Sequence, residues 1–406
     1  MNDNTETSVS TGIRVRQARK YRGITLETLA GRIGRSKAWL SMIENGRLPL
    51  DKRQDIAAIA EVLEVSADTL LGQPAPEIRP GVRTWSAAPF RTVLLDAAID
   101  DPPDIAARPL PVLGQLVESV DQALRRADYD VMHRDLPGLL GELQVHAAGP
   151  EGCDRDEALR LLIAAAASAT IMLKHWGRTD LAWISADRGR QAAVLLGDPV
   201  HAGAAAFGCA HASNSANRPR ALMATPAVAD RVGDVMGDDM FAREVYGMLR
   251  LSAALACAVV GDHSGAADHA EEAARIAAPL GDRPEAFEVF GAANVGVWRA
   301  SLAAEAGNAG QALTFADAVE SRALASDNRR AALSMEKARA LVMEGKSGKA
   351  VAELRHAERL SPAQVHNHPM TRDLVAVMLD EAQRKAGVTE LRGLAWRMGV
   401  VKTRGH

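Results

Sequence analysis

The sequence predicts an all-α protein, and three observations carry that prediction. Aromatic residues make up only 4% of the 406 positions, no sustained period-two alternation is bounded by hairpin turns, and Ala, Leu, Arg and Glu recur at helical spacing. The length exceeds what one hydrophobic core organises, so two or more folding units are expected. Hydrophobic content of 47% beside 24% charged residues belongs to a soluble globular chain. The alanine-rich run over residues 161–173 is too short for a membrane span and stops at Lys174 and His175, so it reads as a buried helix. Residues 1–10 are polar and lack the basic start and apolar segment of a secretory signal, which places the chain in the cytoplasm and away from membranes.

Residues 1–11 read as a disordered tail. In residues 12–53, eleven Lys and Arg stand against Glu27, Glu44 and Asp51, a balance of +8 in a chain whose net charge is −3. Positive potential is therefore concentrated in one short segment on an acidic body, the pattern of a polyanion-binding head. Within that segment, residues 25–46 read TLETLAGRIGRSKAWLSMIENG. Thr25 suits the N-cap of a helix burying Leu26, Leu29, Ala30 and Ile33, and Gly34 supplies a tight turn. Ser36 caps a second helix with Leu40 and Ile43 facing inward, ended by Asn45 and Gly46. Two short helices joined by such a turn project the second one toward a major groove.

Here the sequence resembles the Cro and phage-repressor (XRE) class of helix-turn-helix regulators. Arg19, Gly23 and Ile24 precede the motif in that class's order, and Glu44-Asn45-Gly46-Arg47 closes it. Ile56, Ile59, Ala60 and Leu63 then mark a fourth helix, and residues 65–71 a fifth. The resemblance implies a five-helix, lambda-repressor-like DNA-binding domain over residues 12–72. By position, Ser36, Lys37, Ala38, Ser41 and Met42 fall on the base-reading face. Lysine donates to guanine, hydroxyls reach either kind of base, and apolar groups meet a thymine methyl. Thr25, Arg35, Trp39 and Arg47 fall where phosphates are held, although Trp39 has the alternative of packing under the helix. The same resemblance implies a partly buried Arg19–Glu44 ion pair with a structural role.

Residues 73–111 carry eight prolines, Pro74 to Pro111, and read as a linker, with one short helix over 90–99. Beyond it the chain repeats in phase. Gly177, Gly261, Gly307 and Gly345 are each followed five residues later by Ala182, Ala266, Ala312 and Ala350, and seven after that by Gly189, Ala273, Val319 and Ala357. A fifth copy replaces the glycine with Ala216 and continues to Ala221 and Val228. Each step accommodates two helices and two short turns. This resembles the tetratricopeptide repeat, with longer units and without its aromatic positions. It implies a right-handed helical solenoid over 112–400, about six helix pairs plus a cap, with 115–147 an extra pair and 371–398 the cap.

Solenoids hold ligands on their concave side, so polar residues on first helices are the candidate lining: His211, Asn214, Arg250, Asn294 and Arg299. Each has the alternative of a solvated or inter-helix-bonded residue. The architecture resembles regulators whose repeat domain senses a signalling peptide, and the alanine and arginine bias fits a high-GC actinobacterial genome in which a small molecule serves equally. The odd set Cys153, Cys209 and Cys257 lacks a C-x-x-C pair, which argues against disulfides and zinc ribbons and suggests buried apolar roles. His366-Asn367-His368-Pro369 reads as an exposed turn, not a metal site. No nucleophile elbow, phosphate loop or dinucleotide fingerprint appears, so neither catalysis nor a cofactor is expected. The sequence therefore predicts a homodimeric regulator that binds double-stranded DNA at an inverted repeat and senses a peptide or small-molecule effector. The alternative is a DNA-anchored scaffold whose repeats recruit a partner protein.

Overall fold

The computed structural model of the protein describes residues 11–65, 67–72, 85–212, 220–382 and 389–400. Twenty-two α-helices and no strands occur among them. The N-terminal head holds α1 (Thr11–Tyr21), α2 (Leu26–Arg32), α3 (Lys37–Glu44), α4 (Arg53–Leu63) and α5 (Ala67–Leu71). Its core is built from the positions that the apolar periodicity singles out, with Leu29, Leu40, Ile43, Ile56, Ile59 and Leu63 fully buried.

The rest is a train of antiparallel hairpins: α7 (Leu110–Arg125) with α8 (Tyr129–Ala147), α9 (Cys153–His175) with α10 (Thr179–Leu196), α14 (Met240–Val259) with α15 (His263–Leu280), α16 (Ala292–Glu305) with α17 (Ala309–Ala318), and α18 (Asp327–Met343) with α19 (Ser347–Leu360). Between the second and third of these, α11 (Pro199–His211) pairs with α13 (Thr225–Gly233) across the short α12 (Arg220–Met223). The end is α20 (Pro362–Asn367), α21 (Pro369–Ala382) and α22 (Thr389–Met398). None of the helices is long and apolar enough to cross a membrane among the described residues.

The repeated glycines have one physical job. Gly177, Gly261, Gly307 and Gly345 sit between paired helices at φ of +72°, +82°, +80° and +71°. The next residue of each donates its N–H to the carbonyl five positions back, closing the helix end: Arg178 to Leu173 (2.8 Å), Asp262 to Cys257 (2.9 Å), Asn308 to Ala303 (2.9 Å) and Lys346 to Leu341 (2.8 Å). Asp262 and Asn308 then cap the following helix. Ala127, at φ +52°, makes the same turn between α7 and α8, with Asp128 donating to Ala123 at 2.8 Å. A non-glycine there escapes a search for glycines. Ala182, Ala266, Ala312 and Ala350 are all buried, so the second helices approach closely. Of the fifth copy, Ala216 lies outside the described residues, and Ala221 and Val228 are half-buried on α12 and α13.

The array curls until its last hairpins meet its first. Tyr129 Oη on α8 donates to Asn328 Oδ1 on α18 (2.9 Å) and lies 2.8 Å from His175 Nδ1 and 3.3 Å from Ser361 Oγ. Asn328 Nδ2 donates to the Leu124 carbonyl (2.7 Å), and Asn367 Nδ2 to that of His175 (2.9 Å). Tyr129, His175, Asn328 and Ser361 are buried and Asn367 half-buried, and each of these polar groups finds a partner in the seam.

Three expectations are corrected. The proline-rich segment is not a free linker in its second half: α6 (Ala88–Leu95) packs on α8 and α10 and buries Phe90, Val93 and Leu94, while Trp85 stacks on Trp176 at 5.1 Å. Prolines disfavour helix interiors, but they do not oppose packing, and the aromatic pair anchors the strap. Residues 73–84 lie outside the described residues. His366 is buried against Glu358 and His368 is half-buried, so the His-Asn-His run is no exposed turn. Among the cysteines, Cys209 is buried and Cys257 half-buried, but Cys153 is exposed at the start of α9.

Candidate nucleic-acid interface and ligand cavity

Thr25 Oγ1 accepts from Thr28 N (3.1 Å) and Ser36 Oγ from Trp39 N (3.1 Å), so both helices of the motif start on a side-chain cap. Gly34, at φ +66°, makes the turn between them. Ser36, Lys37, Ala38 and Met42 are exposed along the outer face of α3, with Ser41 half-buried beside them. Lys37 Nζ lies 3.4 Å from Glu27, an exposed pair that water competes for, so the ammonium stays available. Arg47 is exposed at the end of the helix.

Arg19 and Glu44 meet in a two-pronged pair, Nε to Oε1 at 2.6 Å and Nη2 to Oε2 at 2.7 Å, and Arg19 Nη1 also donates to the Ile24 carbonyl (2.9 Å). With Glu44 buried, the pair fixes α3 on α1. Arg35 is engaged within the head, and Trp39 takes the packing alternative. Arg35 Nε and Nη2 both donate to Asp55 Oδ1 (2.9 and 2.7 Å), and its guanidinium lies 5.3 Å from the Trp39 ring centroid. Trp39 packs against the head's core under it. The two residues lock the turn to α4; spacing alone does not reveal that Asp55 faces the turn.

The head is seated on the array by charge. Arg53 donates to Glu305 on α16 through its backbone N (2.8 Å) and Nη1 (2.6 Å), and Arg339 on α18 reaches Glu305 at 3.1 Å and the Asp51 carbonyl at 2.6 Å. Exposure of the Glu305 and Arg339 side chains is 2% and 7%. Burial alone raises a carboxyl, but Arg339 and Arg53 outweigh it and hold Glu305 below its ordinary range. Leu50 N donates to buried Asp373 Oδ2 (3.0 Å), and Met370 of α21 joins the core of the head.

Beneath this junction the curled array encloses a cavity of about 470 Å³, within the range of sites that take small organic ligands. Its walls come from the first helices of the hairpins, α7, α9, α14, α16 and α18, with α11, α20 and α21, and from Asp51 and Arg53 of the head. Of the sequence candidates, His211 and Asn294 line it. His211 Nε2 pairs with Ser252 Oγ (2.8 Å), and burial, then Lys174, holds its imidazole well below the ordinary range. Asn294 Nδ2 donates to the Glu288 carbonyl (3.0 Å), and its Oδ1 accepts from Arg329 Nε (2.8 Å).

Arg250 and Arg299 do not line the cavity. Arg250 pairs with Asp230 of α13 (2.7 Å) over the Tyr246 ring, and Arg299 pairs with Glu271 of α15 over Phe315. Five residues along a helix turn the side chain about 140° away, so Asn294 and Arg299 cannot share a face. Asn214 lies outside the described residues. Sequence reasoning missed the main charged lining, Lys174, Glu288, Arg329 and Arg339. The polar Lys174 at the end of an alanine-rich run was the one available signal.

Residues 11–71 match the helix-turn-helix domain family, and this part of the chain is a helix-turn-helix, DNA-binding domain. No curated protein matches the chain. Among solved structures, it is similar to ComR from S. thermophilus in complex with DNA and its signalling peptide ComS, at 12% identity and a TM-score of 0.28, over 92% of this chain and 100% of that one.

Proposed function

We propose that this protein is a sequence-specific transcription regulator of the Cro/repressor type whose tetratricopeptide-like array encloses an effector site. The observation that carries the reading is the outer face of α3, where Lys37, Ala38 and Met42 are exposed beside a capped helix start. A helix of this shape presents base-reading side chains at its N-terminal half. Its role is binding, not catalysis. As a homodimer it would place two heads on half-sites about 34 Å apart. The cavity favours a small effector over a recruited protein, because its walls are internal and one of them is the head itself. Selection of duplexes from a random pool, followed by anisotropy titration of the enriched site, is expected to return an inverted repeat bound far more tightly than bulk DNA. Equal affinity for enriched and scrambled duplexes at matched salt would sink the reading.

A further inference from the structure

Lys174 on α9 faces the cavity with no hydrogen bond or ion pair among the described residues. Arg329 on α18 spends only Nε on Asn294, and its ring-facing guanidinium, 5.8 Å from the Trp298 centroid, leaves both outer nitrogens without a partner among the described residues. Other cations of the lining are already committed: Arg125 to Asp121, Arg53 and Arg339 to Glu305. The carboxylate nearest to being their counter-ion is Glu288, which lies beyond ion-pair distance of both. Its backbone is held at φ +51°, with its carbonyl tied to Asn294.

Lys174 and Arg329 are both half-buried, and a partly desolvated cation without a protein partner is completed by an anion that enters beside it. Lys174 and Arg329 arrive from the two halves of the array that the Tyr129 seam brings together. Both bear on the same space, since both hold the imidazoles of His175 and His211 down, after burial itself. Glu288 is pushed up to about 7 by burial and Asp121, so near neutrality it offsets the two cations only in part. Beside them the wall is aromatic: Phe207 and Phe241 each meet the Phe287 ring edge-on, at 5.6 and 5.9 Å.

We propose that the effector is a small organic carboxylate, its carboxylate held by Lys174 and the outer nitrogens of Arg329, and its apolar body against Phe207, Phe241 and Phe287. A planar guanidinium and an ammonium supply strong charge-assisted donors to such a group. This rests on the effector reading and adds the chemical class.

Isothermal titration of the full chain with a set of straight-chain and aryl alkanoic acids, each beside its primary amide, tests it. Acids are expected to bind saturably where their amides do not. Lys174→Met and Arg329→Gln should each weaken the acids by about tenfold or more. Lys174→Met also serves as its own folding control, because removing a half-buried cation that has no ion pair is expected to leave the ligand-free Tm unchanged or higher. Amides binding as well as acids, both variants responding like the parent, or no acid in the set binding would each overturn the assignment. Duplex titration separates the two readings: an acid that binds without changing DNA affinity removes the effector role and leaves the ligand class standing.

Discussion

Arg339 of the array donates to the backbone carbonyl of Asp51 in the head at 2.6 Å, across 288 residues of sequence. The same guanidinium holds Glu305, which also takes Arg53, so one arginine ties two array helices to the chain between α3 and α4. Asp51, Arg53 and Arg339 line the cavity as well. The groups that seat the head therefore form part of the cavity wall.

Removing Arg339 leaves Glu305 and Asp51 enclosed without their main counter-ion. Arg339→Ala is expected to cost about 3–5 kcal/mol of head seating. Calorimetry should split one unfolding transition into two, the earlier belonging to the head. A single transition at the parent's midpoint would show that the network does not seat it.

On the reading helix, Lys37→Ala should relax base choice at one position by about 1–3 kcal/mol. Arg47→Ala should weaken all duplexes alike and reduce the salt slope by about one. Arg35→Ala is expected to leave that slope unchanged and instead lower the head's stability, because its guanidinium is spent on Asp55. Salt-dependent anisotropy titrations beside thermal melts distinguish the three.

Phe90 is fully buried in the strap that the prolines disguise. Phe90→Ala should destabilise the array by about 3–5 kcal/mol in denaturant unfolding. A free linker would lose nothing.

Glu358 accepts from Arg397 Nε and Nη2 (2.7 and 2.6 Å) and lies 2.7 Å from His366 Nε2. Burial opposes ionisation, but these partners win and push the carboxyl down to about 2 from an ordinary 4.5. A carboxyl lowered in the fold contributes stability that is complete above about pH 4.5 and is lost as pH falls toward 2. Glu358→Gln should flatten this acid limb of the stability profile, measured by urea unfolding from pH 6 downward. An unchanged limb would assign acid sensitivity elsewhere.

Much of the fold was legible because its signals are local. The turn at Gly34, the caps at Thr25 and Ser36, and the glycines of four hairpins each act through neighbours within a few residues, and composition excluded strands outright. The Ala127 turn was hidden because alanine there accepts a conformation that glycine normally marks. Of the candidate lining, Asn294 was found and Arg299 misplaced for a geometric reason: both lie on the same first helix, but rotation along it separates them.

What the sequence determined by itself was the helical class, the helix-turn-helix head and the exposed face of α3, and the repeat, since all follow from capping, periodicity and the conformational demands of single residues. What only the tertiary structure decided was which charges meet: Arg35 with Asp55, Arg339 with Asp51 and Glu305, and Lys174 with no counter-ion among the described residues. Coulomb energy and desolvation depend on distance and enclosure, and neither can be read along a chain until hairpins hundreds of residues apart have closed on each other.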